Sequence, residues 1–287
     1  MTATVFDVGR FASPASNAVR RFGSQPGLLI ACAVLLLVIG WAVLPELFTD
    51  QSPVEGVAAA RFASPDWQHL FGTDELGRDL YSRVVYGASL SLRAAAIAIV
   101  LAFVTGTAVG LVAGFFGGAV DAVTMRVVEM LLSIPPMLMS LVLISALGFG
   151  TLNVGIAVAM SSVAVVTRLM RAEVLRVRTA VHVEGAIVCG ARWPRILLRY
   201  ILPAAVGPVL ALAALDFGLV VLAVSSLSFL GFGEPPPAPE WGALVAAGRN
   251  YMATAWWLTA LPGLTVAVLV LSTTRLARAL ESGKSIR

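Results

Sequence analysis

Five long stretches of this chain carry almost no charge, and their lengths limit the possible folds more than any other feature. Charge-free runs cover residues 22–45, 94–120, 130–167 and 250–274, and the run 200–233 is interrupted only by Asp216. A membrane-spanning helix needs about 20 apolar residues at 1.5 Å rise each. The run 130–167 is too long for one span, and Gly148-Phe149-Gly150-Thr151-Leu152-Asn153 breaks it in the middle. The sequence therefore predicts an all-α, polytopic membrane protein with six transmembrane helices. Helices are required because a backbone group in hydrocarbon finds no water and must be satisfied within its own segment. Composition agrees: 59% of the 287 residues are hydrophobic and 13% are charged, against about 25% charged in soluble domains.

Basic residues orient the spans. Arg10, Arg20 and Arg21, then Arg126, the seven arginines of 168–199, and Arg275, Arg278, Lys284 and Arg287 make 15 of the 20 Lys and Arg on one side. The richer side is expected to be cytoplasmic, with both termini inside. The net charge of +4 is thus a topology signal, and no nucleic-acid partner is expected. The first apolar run reads as a retained span rather than a removed signal peptide. Cys32 and Cys189 fall in different environments, so no disulfide is expected.

The expected layout is a cytoplasmic tail at 1–26, a first helix at 27–46, an extracytoplasmic segment at 47–90, five further helices within 91–280, and a cytoplasmic C-terminus at 281–287. Within 47–90, Thr73 is expected to cap an amphipathic helix, with Asp74 and Glu75 at its positive end and Leu76, Leu80 and Val84 repeating along one face. Gly106, Gly110 and Gly114 lie on one face of the second span, where small residues let another backbone approach. Pro135-Pro136 interrupts the third span, so neighbouring helices must satisfy the freed carbonyls.

The cytoplasmic loop 168–200 is more organised than a topology signal requires. Glu184-Gly185-Ala186-Ile187-Val188-Cys189 suits a helix, Gly190 a stop, and Pro194 the first turn of a second helix. Arg192, Arg195 and Arg199 give that second helix a basic face, and Ile196 and Leu197 an apolar one. Leu202-Pro203 leads into the fifth span. This cassette reads as a docking element for something outside the membrane.

Catalysis finds little support. Gly283-Lys284-Ser285 mimics the end of a phosphate-binding loop, but the first glycine of that motif would fall at Arg278. Neither H-E-x-x-H nor G-x-S-x-G occurs, and His69 has no metal-ligand cluster beside it. Asp216 is the one acid deep in a span, and intramembrane ionisable residues are functional by default. It fits a substrate pathway, and equally a structural hydrogen bond or ion pair with another helix. A self-contained carrier and a subunit of a larger machine both remain open at this point.

The cassette resembles the shared cytoplasmic motif of ABC importer permeases, with Glu184-Gly185-Ala186, three residues, Gly190, and Ile201-Leu202-Pro203 closing the element. Gly185 stands where that motif prefers alanine, and Tyr200 where histidine is usual. Three further blocks are similar to the C-type permeases of dipeptide and oligopeptide importers. They are Phe71-Gly72-Thr73-Asp74-Glu75-Leu76-Gly77-Arg78-Asp79, Gly114-Phe115-Phe116-Gly117-Gly118, and Leu227-Ser228-Phe229-Leu230-Gly231-Phe232-Gly233 with Trp241-Gly242. The resemblance implies a type I importer fold in a bacterial plasma membrane, with 91–280 as its transmembrane domain and a coupling loop at about 172–203. It implies Glu184, Gly185, Ala186, Gly190, Pro194, Ile196, Leu202 and Pro203 as ATPase-coupling residues. The implied partners are a second, B-type permease, one or two ATPase subunits or a fused ATPase, and an extracytoplasmic binding protein. ATP and magnesium would be held by the ATPases, with no cofactor on this chain. The implied cargo is a di- or oligopeptide; nickel, glutathione or chelates are the alternatives within related systems.

Overall fold

The computed structural model describes residues 26–284, all of whose regular elements are helices. The basic tail residues Arg10, Arg20 and Arg21, and the end of the chain from residue 285, lie outside the described residues. The long elements are α1 (Pro26–Val43), α2 (Leu80–Phe116), α3 (Gly118–Ser133), α4 (Pro136–Leu147) and α5 (Thr151–Arg178). The short α6 (Val181–Val188) precedes α7 (Trp193–Phe229); α8 (Trp241–Gly248) and α9 (Trp257–Lys284) follow. Five helices are long and apolar enough to cross a membrane, and the bent pair α3–α4 makes a sixth crossing if it counts as one span.

The expected surface helix at Thr73 does not form. Residues 73–79 are a closed turn: Asp74 Oδ1 accepts the N–H groups of Leu76 and Arg78, both at 2.9 Å, and Gly77 takes φ +74°. Thr73 is buried and points inward, its hydroxyl accepting from Ala63 N–H and donating to Ala60 O. The helix starts instead at Leu80, where Asp79 Oδ2 accepts from Ser82 N–H and from its hydroxyl, each at 2.7 Å. A buried carboxylate that satisfies two donors at once outcompetes an upstream threonine as the cap. Leu80 and Val84 are buried while Leu76 is exposed, so the four-residue spacing did not mark one face. The residues from Leu80 and the second span are one helix of 37 residues, about 55 Å long at 1.5 Å per residue. It therefore extends beyond the roughly 30 Å hydrocarbon core.

Gly106, Gly110 and Gly114 are the seam between α2 and α5. A Cβ at these positions would lie 2.7 Å from Val166 Cβ, 2.5 Å from Thr167 O and 2.8 Å from Val174 Cβ. From the other side, Gly155 of α5 is equally tight against Ala94 O of α2, at 2.9 Å. Interlocked small residues let two helices meet at backbone distance, which in lipid is the main source of association.

Pro135-Pro136 bends the third crossing by 95°. Ile134 is extended (φ −91°, ψ 129°) because a residue before proline is driven out of the helical region. The carbonyl of Pro136 accepts the hydroxyls of Ser140 and, from α5, Ser161, at 3.0 and 3.1 Å. The carbonyls freed by the proline pair lie four residues upstream, and Leu131 O is met within its own turn, by Ile134 N–H at 3.3 Å, and not by a neighbouring helix as expected. The main core joins residues of α1, α2, α4, α5, α7, α8 and α9. Fully buried Trp241 anchors α8 there, donating through Nε1–H to Val84 O of α2 at 2.8 Å.

Candidate functional site

Helix α6 puts Val183 and Ala186 inward, and leaves Val181, Glu184, Ile187 and Val188 exposed. It ends as the sequence predicts. Gly190 adopts φ +76°, with its N–H bonded to Ile187 O at 2.9 Å and Ala191 N–H bonded to Ala186 O at 3.0 Å. That bond pair is a Schellman closure, which requires a left-handed residue at the position of Gly190. Pro194 occupies the first turn of the helix that follows, where its missing N–H costs nothing.

The second helix of the cassette is continuous with the fifth span. Pro203 has no N–H to offer, so the turn Leu197–Ile201 widens to a π-helix and Leu202 N–H bonds back to Leu197 O. Ile196, Leu197 and Ile201 are buried in a cluster with Val183, Met170 and Val174. Their contacts hold the cassette against the C-terminal end of α5. The outer face combines the exposed Arg192, Arg195, Arg199, Trp193 and Leu198. Of the eight sequence-predicted coupling residues, Glu184, Gly185, Gly190, Pro194 and Pro203 lie on the open side. Ala186 and Ile196 face inward and act as supports, and Leu202 is half-buried.

The loop expected to begin at residue 168 is helical through Arg178, so α5 itself carries the cassette at its end. Arg171 forms a two-pronged pair with Asp121 of α3, Nε to Oδ1 at 2.8 Å and Nη2 to Oδ2 at 2.5 Å. Arg178 caps the end of α2 by donating to Phe115 O at 3.1 Å. The rings of Phe115 and Phe116 lie against Trp193, with centroids 6.4 and 5.5 Å apart. Nothing in the spacing of these residues marked them as one corner; they converge because Gly114 lets α2 close on α5.

Asp216 sits half-exposed in α7, at the edge of a cavity of about 430 Å³ between α4, α5 and α7. A second cavity, of about 450 Å³, shares Met137, Leu222 and Ser226 with the first and extends to Gly242 and Val245 of α8. Together they form one groove along α7. Beyond the C-terminal end of α7, Glu240 is fully buried, accepting from the Ser228 hydroxyl (2.7 Å) and Glu234 N–H (2.9 Å). Burial pushes its carboxyl above the usual range, and those two hydrogen bonds pull it partly back. Glu234 in turn caps α5, its Oε2 accepting the N–H and hydroxyl of Thr151, each at 3.0 Å. Neither glutamate was expected from the sequence, because their partners are distant in the chain. His69, the isolated histidine, lies 2.9 Å from Asp79 through Nδ1. Among the described residues, no group of three or more His, Cys, Asp or Glu could hold a metal ion.

Residues 106–286 match the family of binding-protein-dependent transport system inner membrane components. The chain belongs to this family. Relatives include the di/tripeptide transport system permease DppC of Pseudomonas aeruginosa, 33% identical over 268 residues, covering 91% of this chain and 88% of that one. The dipeptide transport system permease DppC of Alkalihalophilus pseudofirmus is 34% identical over 245 residues, covering 85% and 79%. Among solved structures, an amino acid ABC transporter superposes with a TM-score of 0.55 at 15% identity, covering 70% of this chain and 94% of that chain. At that identity the likeness is one of fold. The chain is thus a multi-pass membrane permease with the transmembrane fold of an ABC importer, and works as a subunit of a larger complex.

Proposed function

We propose that this permease is one half of the translocation pathway of an ATP-driven di- or oligopeptide importer. In this reading it sits in the bacterial inner membrane with both termini cytoplasmic. A second, B-type permease supplies the other half-pathway, and an extracytoplasmic binding protein delivers the peptide. One or two cytoplasmic ATPase subunits, or a fused ATPase, hold ATP and magnesium. The names of the relatives support a peptide as cargo.

One observation carries the coupling role: α7 runs from Trp193 in the cassette, through Asp216, to Phe229 at the outer end of the groove. A load on the exposed face of α6 and the start of α7 therefore reaches the groove wall along one helix. ATP binding that draws two ATPase domains together pulls on this face. The groove then turns from one side of the membrane to the other, an alternating-access cycle set by the differential affinity of ATP for the two states. The chain contributes the moving wall, and the ATPases contribute the chemistry.

The test uses the whole complex in vesicles. Glu184→Lys reverses an exposed charge on the docking face, and Gly190→Val forces a β-branched residue into a left-handed conformation. Both should abolish peptide uptake and peptide-stimulated ATP hydrolysis, whereas Gly190→Asn, which tolerates that conformation, should retain them. If Glu184→Lys and Gly190→Val leave complex recovery and stimulated hydrolysis intact, the docking assignment is wrong. Expressed without partners, the permease should move nothing.

A further inference from the structure

We infer that Asp216 is the anchoring point for a protonated primary amine of the cargo, seated at the inner end of the groove. The inference deepens the importer reading and rests on it for the route by which the cargo arrives. Asp216 is the only ionisable residue lining the two joined cavities. Among the described residues it has no hydrogen-bond or ion-pair partner, and it lies only partly covered at the cavity wall. By sequence it falls near the middle of the helix Leu202–Phe229, and so near mid-membrane. An acid is placed there at considerable cost unless something positive meets it.

The surroundings suit an ammonium. Such a group has three donors and needs three acceptors. Asp216 offers two oxygens, and the hydroxyl of Ser162, which flanks it in both cavities that border it, offers another. Further out, Ser226 lines both cavities, its hydroxyl donating to Leu222 O at 2.8 Å and keeping its oxygen free to accept. It offers a hydroxyl to a polar group passing along the groove. The remaining walls are apolar, with Met137 and Leu222 at the junction. From Asp216 to Phe229 the groove runs about 20 Å along the helix, the span of roughly six extended residues. A short peptide with a free N-terminus therefore fits with its ammonium on Asp216 and its body against walls that select no side chain. A lysine side chain carries the same group and is the alternative source.

The test is made on the assembled complex in vesicles, with the two free thiols Cys32 and Cys189 replaced by serine. Leu219 lies one turn from Asp216 and is exposed to the groove. Leu219→Cys is labelled with a trimethylammonium and with a sulfonate methanethiosulfonate of similar size. Labelling should favour the cation about tenfold beyond the intrinsic ratio, from one unit charge a helical turn away in a partly hydrated groove. Adding Asp216→Asn should remove that preference. Failure of the Leu219→Cys thiol to react with either reagent, or a preference that survives Asp216→Asn, overturns the inference.

In the second arm, Asp216→Asn should lower dialanine uptake at least tenfold with complex recovery unchanged, and Asp216→Glu should retain most of it. N-acetyl-dialanine and N-acetyl-dialanyl-lysine, compared as competitors, separate an N-terminal ammonium from a lysine one. Unchanged uptake, or loss of assembly in Asp216→Asn, refutes the inference, the latter by making the acid a partner for the other permease. Cation-selective labelling in a complex that moves no peptide would instead retire the peptide reading and leave the cation site standing.

Discussion

The same substitution, glycine to alanine, should move stability in opposite directions at Gly110 and Gly185. Both are helical, and alanine gains up to about 1 kcal/mol over glycine in a helix interior. At Gly185 nothing lies within 4 Å of an added methyl, so the full gain should appear. At Gly110 the methyl would meet Thr167 O at 2.5 Å, Met170 Cβ at 2.8 Å and Arg171 N at 3.0 Å. Two of those are backbone atoms and cannot step aside, so α2 and α5 must separate. Overpacking of this kind costs typically 1–3 kcal/mol. With rigid neighbours the upper figure applies, leaving a net loss of about 2 kcal/mol after the helical gain. The assay is thermal loss of the monodisperse complex in detergent, read by fluorescence-detected gel filtration. At roughly 2–4 °C per kcal/mol, Gly185→Ala should rise by about 3 °C and Gly110→Ala fall by about 6 °C. A shift of the same sign at both positions would refute the claim that the seam, and not helix propensity, sets the value of these glycines.

Two further outcomes follow from the Arg171–Asp121 corner and the loop that carries Glu240. Arg171→Ala should cost about 1–2 kcal/mol, because the Asp121 pair is two-pronged but partly solvated. The thermal shift of Arg171→Ala/Asp121→Ala should then fall short of the sum of the singles; simple additivity would show the pair contributes nothing. Glu240 carries a pH signature. Its folded carboxyl is raised above the ordinary value, so the native state binds its proton more tightly than the unfolded chain does. That contribution is complete below the ordinary carboxylate range and is lost as pH rises through the raised value. Melting temperature should therefore decline across that interval, and Glu240→Gln should flatten the decline. An identical pH profile in the variant would remove Glu240 as its source.

Much of the architecture was legible from residues alone because lipid leaves so few options. Charge-free length forces helices, and Pro135-Pro136 and Gly190 act through rules that need only their own backbone. The cassette was legible for the same reason: a left-handed stop and a first-turn proline are local events. Errors arose where a local preference met a stronger distant one. Thr73 is a good helix cap in isolation, but its side chain is held by Ala60 and Ala63, and Asp79 takes the role.

The sequence by itself determined the solvent, the helical class, the bend in the third crossing and the punctuation of the 184–203 cassette. Tertiary structure alone decided which glycines touch a backbone and which face open space, since Gly110 and Gly185 look alike in a string of letters. It also decided that Arg171 meets Asp121, that Phe115 and Phe116 support Trp193, and that Glu234 caps a helix 83 residues away. Above all it placed Asp216 at the edge of a groove. A lone acid announces that it needs a partner, but only the packing of α4, α5 and α7 around it shows that none of the described residues supplies one.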